Sequence, residues 1–237
     1  MTLTKLTLSA LSVALLCSTA QAEAIGGQIK LSQSAFVDDT AVAKTNFSGA
    51  VELGFGPRLG AQLDLGVNAF NASGETATNF AAHGIYKPSD TTAFGAFYGL
   101  DSLSGENQSF YGIEAAKNFK SGGVQAYFAR GEDSGFSGSV IGLSGGTIIG
   151  EGFGLGASVD HGSFEGGLSV TRFGVRASYG QGERSKMFVE IGTLNGEISG
   201  LGSDSENYAK VGATYNFGRN SGLTFGDRSI FNLLPGL

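Results

Sequence analysis

The 237-residue chain has no tryptophan, three prolines and one cysteine, and only 15% of its residues are charged. The single cysteine, Cys17, lies near the N-terminus, so the rest of the chain forms neither disulfides nor thiolate metal sites. The two histidines, His83 and His161, are far apart in sequence. We therefore predict no metal site and no cofactor. A net charge of −6 argues against nucleic acid as a partner.

Long apolar runs are also missing, and no segment keeps a helical period of 3.6 residues. Glycine, in contrast, accounts for 40 residues, and each glycine in a helix interior costs about 1 kcal/mol relative to alanine. An all-helical fold is therefore excluded. The lack of a Gly-X-Y period and of proline excludes collagen, and 41% hydrophobic residues disfavour disorder. A glycine-rich all-β protein remains.

Residues 1–22 have the pattern of a secretory signal peptide. Lys5 precedes an apolar run over Leu6–Leu16, and the segment ends in Ala20-Gln21-Ala22. The run is too short to span a bilayer, which takes about 20 residues in a helix. We predict cleavage before Glu23.

Segments of alternating polarity recur after residue 22, and clusters of Gly, Ser, Asn and Asp separate them. They predict twelve strands, near Gly27–Phe36, Asn46–Gly56, Gly60–Asn71, Ala77–Lys87, Thr92–Asp101, Gln108–Phe119, Gly123–Arg130, Ser137–Gly150, Gly152–His161, Leu168–Gly180, Lys186–Asn195 and Asn207–Phe217. An even number suits a closed up-and-down antiparallel barrel whose two chain ends lie on one side.

Each strand has one apolar face and one face of glycine and polar residues. Phe173, Val175 and Ala177, for example, alternate with Arg172 and Arg176. A soluble barrel or sandwich buries the apolar face, whereas a membrane barrel turns it outward. The export signal, the missing cysteines and the aromatic residues at strand ends favour an all-β, antiparallel up-and-down transmembrane β-barrel over residues 23–217, located in the cell outer membrane.

The connections between the strands are expected to differ between the two ends of the barrel. Those after even-numbered strands are tight or basic, as in Lys87-Pro88-Ser89-Asp90. The others are expected to be longer and acidic, as in Asp101–Glu106, Gly131–Gly138 and Asn195–Glu206. Short turns on one side and longer loops on the other are typical of outer-membrane barrels.

The last predicted strand contains Lys210-Val211-Gly212-Ala213-Thr214-Tyr215-Asn216-Phe217. It resembles the β-signal that bacterial outer-membrane proteins present to the barrel assembly machinery, with Lys210, Gly212, Tyr215 and Phe217 at the positions of that signal. The chain up to Phe217 is similar to small porin-type proteins of Gram-negative bacteria. The resemblance implies contact with outer-membrane lipids and with the assembly machinery, passive passage of ions or small hydrophilic solutes, and no catalytic residue.

Residues 218–237, which we call the tail, depart from that pattern, because such barrels commonly end on the final aromatic residue. The tail contains the large apolar residues Leu223, Phe225, Ile230, Phe231, Leu233 and Leu234. We expect the tail to pack at or inside the periplasmic mouth. A plug in the lumen and a further strand are the alternatives.

With the apolar face outward, charged strand residues point into the lumen. The basic ones are Lys30, Arg172, Arg176 and Lys210, and the acidic ones are Glu52, Asp64, Glu114, Asp160 and Glu190. A basic wall facing an acidic wall resembles the constriction of general porins, where a transverse field orients solutes. Alternatively, Asp160 and Glu190 pair with the adjacent arginines and close the lumen.

Two other functions remain open. One is a non-conducting structural or adhesive barrel. The other is a lipid hydrolase with His161 as base and Ser163 as nucleophile, for which the sequence offers no third, orienting residue. We predict a pore rather than an enzyme.

Overall fold

A computed structural model describes residues 23–133, 136–180, 184–219 and 222–236, and the predicted signal peptide with Cys17 lies outside them. The described residues form a closed antiparallel barrel in which consecutive strands are neighbours and the first strand pairs with the last. The strands are β1 Glu23–Phe36, β2 Ala43–Gly54, β3 Leu59–Phe70, β4 Thr76–Ser89, β5 Thr92–Leu103, β6 Glu106–Phe119, β7 Gly122–Asp133, β8 Phe136–Ile148, β9 Phe153–Phe164, β10 Leu168–Tyr179, β11 Ser185–Ile198 and β12 Gly202–Phe217. The predicted fold class and strand count are confirmed.

The outer surface of the barrel is apolar. Every strand carries large exposed hydrophobic side chains, such as Leu65 on β3 and Ile113 on β6, which are 62% and 64% exposed. The inward neighbours are polar, and Gln62 and Asp64 of β3 are fully buried. This polarity is the reverse of a soluble barrel and suits a bilayer outside and a polar lumen inside.

Closure leaves the sheet without an edge. β1 pairs with β12 from Gly27↔Phe217 to Phe36↔Tyr208. We call the end of the barrel where β1 begins and β12 ends the near end, and the opposite end the far end. Because every strand has a hydrogen-bonded neighbour on both sides, the wall has no unpaired edge to expose to lipid.

In the described part of the chain, no helix is long and apolar enough to cross a membrane.

The prediction of long acidic loops at the far end is wrong. β5 runs to Leu103 and β6 begins at Glu106, so that only Ser104 and Gly105 connect them. Their φ angles of 52° and 90° are typical of a type I′ hairpin turn. β7 and β11 likewise continue to Asp133 and Ile198. The polar composition of these segments predicted loops. The strands nevertheless stay paired beyond the outward-facing apolar side chains.

Residues 222–236 of the tail, which we call the docked tail, lie inside the barrel and run along its whole height. Gly222 passes Gly26 at the near end, and Gly236 packs against Phe36 and Val42 at the far end. The docked tail adds no strand to the sheet, and its regular structure is one 3-10 turn over Ile230–Asn232. It therefore extends far beyond the mouth at which the sequence predicted it.

The outward face provides a test of the membrane environment. Leu65→Arg places a charge near mid-height on the lipid side, and we expect it to lower the free energy of unfolding in lipid vesicles by about 2–4 kcal/mol. The matched change Leu59→Arg, at the near-end start of β3, is expected to cost about 0–1 kcal/mol because it lies close to the interface. Denaturant titration of the refolded variants measures both, and equal small losses would contradict a lipid-facing surface.

Candidate functional site

The docked tail divides the lumen into a filled side and an open side. It contacts the wall from β1 to β7. On the other side lies a cavity of about 640 Å³, lined by β6–β12, by the docked tail and by Gln28 and Lys30 of β1. Sites that take small-molecule ligands measure about 300–1,000 Å³. The open side is therefore large enough for a small solute.

The cavity is lined by more cations than anions. All four basic residues predicted from the sequence lie along it, and two further cations join them: Lys30, Arg172, Arg176, Lys210, Lys186 and Arg228. The acidic lining residues are Asp160, Glu190 and Asp227. The structure thus brings the predicted basic residues together on the side that the tail leaves free.

Ion pairs within the wall satisfy Asp160 and Glu190. Arg172 contacts Asp160 Oδ2 at 2.6 Å and Glu190 Oε1 at 3.2 Å, and Arg176 contacts Glu190 Oε2 at 2.6 Å. The hydroxyl of Tyr208 also donates to Glu190, at 2.9 Å. These are the pairs that the sequence suggested as a way to close the lumen, but here they lie in the wall of a cavity that stays open.

Lys210 stands apart from these pairs. It lines the middle of the cavity, opposite Glu190 in the register of β11 and β12. Its ammonium makes no hydrogen bond or close ion pair with any described residue, and the same is true of Lys186. Among the described residues, neither ammonium group has a hydrogen-bonded partner that a bound anion would displace.

The acidic residues Glu52, Asp64 and Glu114 point into the lumen but do not line the cavity. The docked tail covers them, and they are 1%, 0% and 4% exposed. Two oppositely charged walls do not face each other across open water, because the chain's own C-terminal segment lies over the acidic one. We call Glu52, Asp64 and Glu114 the acidic wall.

Glu52 binds the start of the docked tail. Its carboxylate accepts hydrogen bonds from the backbone N–H and the hydroxyl of Thr224, at 2.7 and 2.9 Å. Lys87 of β4 donates to the same carboxylate at 2.7 Å. A buried carboxylate is costly unless it is paired and hydrogen-bonded, and Glu52 is both.

A buried cluster around His83 holds the middle of the docked tail. The two ring nitrogens of His83 lie 2.6 Å from Glu114 Oε1 and 2.9 Å from Asp64 Oδ2. Arg228 of the docked tail donates to the other oxygen of Glu114, at 3.0 Å from Nε. Gln62 donates to Asp64 at 2.8 Å. An imidazole protonated on both nitrogens satisfies both carboxylates, so the cluster alternates positive and negative groups.

Sequence reasoning missed His83, which it considered only as a metal ligand. The signal was present in the alternation of β4, which places His83 on the inward face with Ala81 and Ile85. Its partners could not be read from the sequence, because Asp64 and Glu114 lie on β3 and β6 and meet it only through the register.

Other wall side chains bind the backbone of the docked tail. Asp101 accepts from the N–H of Ile230 at 2.7 Å, and Gln125 accepts from the N–H of Gly226 at 3.1 Å. The buried ammonium of Lys44 donates to the carbonyls of Phe231 and Leu234. Backbone polar groups that leave water need such partners, and here strand side chains supply them.

Lys30 connects the docked tail to the cavity side, because its ammonium lies 2.8 Å from Asp227 Oδ1. Lys30 thus belongs both to the cavity lining and to the contacts that hold the docked tail.

Three apolar side chains of the docked tail are buried in the lumen: Phe225, Phe231 and Leu233. Phe225 packs against Ile85 and Ala93. Phe231 meets Phe70 edge to face, with ring centroids 5.8 Å apart. Gly95 lies beneath Phe225 and Glu114, where a β-carbon would collide with both. Small wall residues therefore make room for the tail as well as for solute.

The free lumen narrows toward the far end. A second space of about 40 Å³ lies between the docked tail and strands β6–β9, next to Phe110, Tyr127 and Phe164. It shares Tyr127 and Arg228 with the large cavity. The small space thus lies on the far-end side of the large cavity.

The residues of the proposed assembly signal lie on the closing strand. Lys210 and Gly212 face inward, Tyr215 is exposed on the outer face, and the ring of Phe217 lies over Gly27. Their role in assembly stays a prediction.

The pair considered for lipid hydrolysis is formed on the outer face of β9. The hydroxyl of Ser163 lies 3.2 Å from Nε2 of His161, and Nδ1 of His161 lies 2.8 Å from the hydroxyl of Thr171. In a hydrolytic triad the third residue stabilises the imidazolium, usually as a carboxylate. The threonine hydroxyl carries no charge with which to do this.

Within the described ranges, no group of three or more His, Cys, Asp and Glu side chains is arranged to hold a metal ion.

The fold is that of small outer-membrane porins. The KdgM porin shares 14% identity with a TM-score of 0.58, over 80% of this chain and 99% of the porin. The NanC porin shares 10% identity with a TM-score of 0.62, over 79% and 98%. An outer-membrane channel from Pseudomonas putida F1 shares 14% identity with a TM-score of 0.56, over 82% and 96%. The resemblance predicted from the sequence is confirmed at the level of the fold.

No protein-family model and no curated protein sequence matches the chain.

The close approach of Gly26 to the docked tail provides a test of its position. A β-carbon at Gly26 would overlap the carbonyl oxygen of Gly222, so we expect Gly26→Ala to displace the docked tail. The matched Gly49→Ala has its nearest neighbour 3.8 Å away and should leave the tail in place. Trypsin cleavage after Arg228, which is 7% exposed, measures the displacement by mass spectrometry. Equal resistance of both variants would contradict a tail packed against β1.

Proposed function

We propose that the protein is a porin-type channel of the outer membrane, through which ions and small hydrophilic solutes diffuse passively. One observation carries the proposal: a cavity of about 640 Å³, lined by charged side chains, lies inside a barrel whose outer surface is apolar. The charged lining favours entry of water and ions into the lumen, and the apolar outer surface favours contact of the wall with lipid.

The outer surface supports the location. Soluble monomers rarely expose apolar patches larger than a few hundred Å², whereas here exposed Leu, Ile, Val and aromatic side chains surround the barrel on all twelve strands. Outer-membrane lipids are the partner that this surface fits. The closing strand with Lys210, Gly212, Tyr215 and Phe217 supports recognition by the barrel assembly machinery.

The charge of the cavity favours anions over cations. Its acidic residues are already paired, whereas Lys186 and Lys210 have no partner among the described residues. Cationic side chains that line a pore attract anions and repel cations. One KdgM structure of similar fold is a complex with disordered oligogalacturonate, an anionic sugar chain. Small anionic solutes are accordingly the class that we expect this lumen to prefer.

Conductance in planar lipid bilayers tests the channel directly. We expect the pure refolded protein to give discrete current steps, with a reversal potential in a salt gradient that indicates anion preference. Complete absence of steps would instead support a non-conducting structural or adhesive barrel, in which the docked tail and the wall ion pairs close the lumen.

Lys210→Gln tests the charge of the cavity. Because Lys210 makes no close ion pair with a described residue, the change removes one cation and leaves the ion pairs of Asp160 and Glu190 with the arginines in place. We expect the reversal potential to move toward that of a less anion-selective pore. Arg130→Gln is the matched control, since Arg130 pairs with Glu132 and is 53% exposed outside the cavity. A selectivity equal to that of the unchanged protein would argue against a role for the cavity lining.

The outward Ser163–His161 hydrogen bond is the one observation that favours a lipid hydrolase. Since Thr171 provides no charge to the histidine, we expect refolded protein to release no more fatty acid from phospholipid vesicles than its Ser163→Ala variant does. Hydrolysis that is lost in the variant would establish the enzyme instead.

A further inference from the structure

The docked tail is a peptide ligand of the barrel that is covalently attached to it. The sheet is closed without it, because β1 pairs with β12 and every strand has both neighbours. Removing residues 222–236 would break no hydrogen bond between strands. The hydrogen bonding of the sheet is therefore complete without the docked tail.

The contacts of the docked tail are those of a bound peptide. Wall side chains hold its backbone, with Glu52 on the N–H of Thr224 and Asp101 on the N–H of Ile230. Ion pairs fix the centre, with Lys30 on Asp227 and Glu114 on Arg228. The buried Phe225, Phe231 and Leu233 provide apolar contacts: Phe225 and Phe231 in pockets of the wall, and Leu233 2% exposed inside the lumen.

Gly218 and Arg219 are the described residues between β12 and the docked tail. Gly218 follows the last strand and has a φ of 85°, a left-handed conformation that glycine adopts without strain. Arg219 next to it is largely exposed and pairs with the exposed Glu23. Among the described residues, the backbone of Gly222 packs against Gly26, and the first hydrogen bonds of the docked tail to the wall are those of Thr224 with Glu52.

The docked tail also decides which charges the lumen presents. While it is in place, Glu52, Asp64, Glu114 and Asp101 are buried, and the open side is lined mainly by cations. If it leaves, these four carboxylates face the lumen together with Lys44 and His83, opposite the basic residues of β10 and β12. The docked tail itself carries one anion and one cation, Asp227 and Arg228, so its departure exposes the acidic wall without a large change in net charge.

We propose that residues 222–236 are a displaceable plug, which narrows the lumen and makes it anion-selective by covering the acidic wall. The inference rests on the proposed channel function. It assigns a second conducting state to the barrel, wider and less anion-selective than the first.

A protease site inserted after Arg219 allows the test on the full chain. The protein is refolded intact, reconstituted, and then cleaved, so the barrel forms with its tail present. We expect the cleaved tail to stay bound at low salt and to leave at high salt, with a rise in single-channel conductance and a shift of the reversal potential toward cations. Adding a synthetic peptide of residues 222–236 should reverse both changes.

A fluorescent label on the peptide gives a readout that is independent of current. Asp227→Asn and Arg228→Gln in the labelled peptide should each speed its release by about tenfold, because each loses a charged hydrogen bond. Thr224→Ser, which keeps the hydroxyl and the backbone N–H that bind Glu52, is the matched control and should change release little.

The outcomes separate the two proposals. A labelled peptide that exchanges while no state conducts would overturn the channel and leave a peptide-binding barrel. Current steps whose size and selectivity do not change when the tail leaves would overturn the plug and leave the channel. A cleaved tail that cannot be removed without unfolding the barrel would also overturn the plug, because the segment would then be part of the folded core.

Discussion

Closure of the sheet between β1 and β12 is the constraint on which the other features depend. A closed sheet satisfies its own backbone hydrogen bonds and leaves each strand with one face outward and one inward. Since the outward face is apolar, every charged strand residue near mid-height has to be accommodated inside. The lumen therefore contains an unusual number of buried ionic groups, and each of them needs a partner or water.

The two sides of the lumen solve this problem differently. On β9–β12, acidic and basic residues lie on neighbouring strands and neutralise each other within the wall, as Arg172, Asp160 and Glu190 do. On β2–β6 the buried carboxylates outnumber the local cations. The missing hydrogen-bond donors come from the backbone and from Arg228 of the docked tail. The cavity lies on the side where the ion pairs within the wall already neutralise the charges. Its position thus follows from how charges are distributed along the sequence.

Much of the barrel was predictable because its signals are local. Alternation along each segment predicted twelve strands and the inward direction of Lys30, Arg172 and Glu52. The far-end hairpins were not predicted, since polar composition resembles a loop whether or not pairing continues. For the tail, the sequence favoured the mouth of the barrel and left a plug in the lumen as an alternative, and it did not give the path. The contacts of the tail, such as that of Arg228 with Glu114, join residues more than a hundred positions apart. The partners of wall residues such as Lys44 and His83 can be assigned only when the strand register is known.

The path of the tail constrains how the protein is made. The segment follows β12 in the chain, yet it occupies space that the pairing of β12 with β1 encloses. Its C-terminal residues next to Phe36 must therefore either be in place before the ring shuts or travel the length of a finished lumen. In the first case the segment acts as a template around which the wall closes, and in the second the near end must admit a chain that carries phenylalanine side chains. Either way, the order of events in biogenesis depends on residues 222–236 as well as on the closing strand.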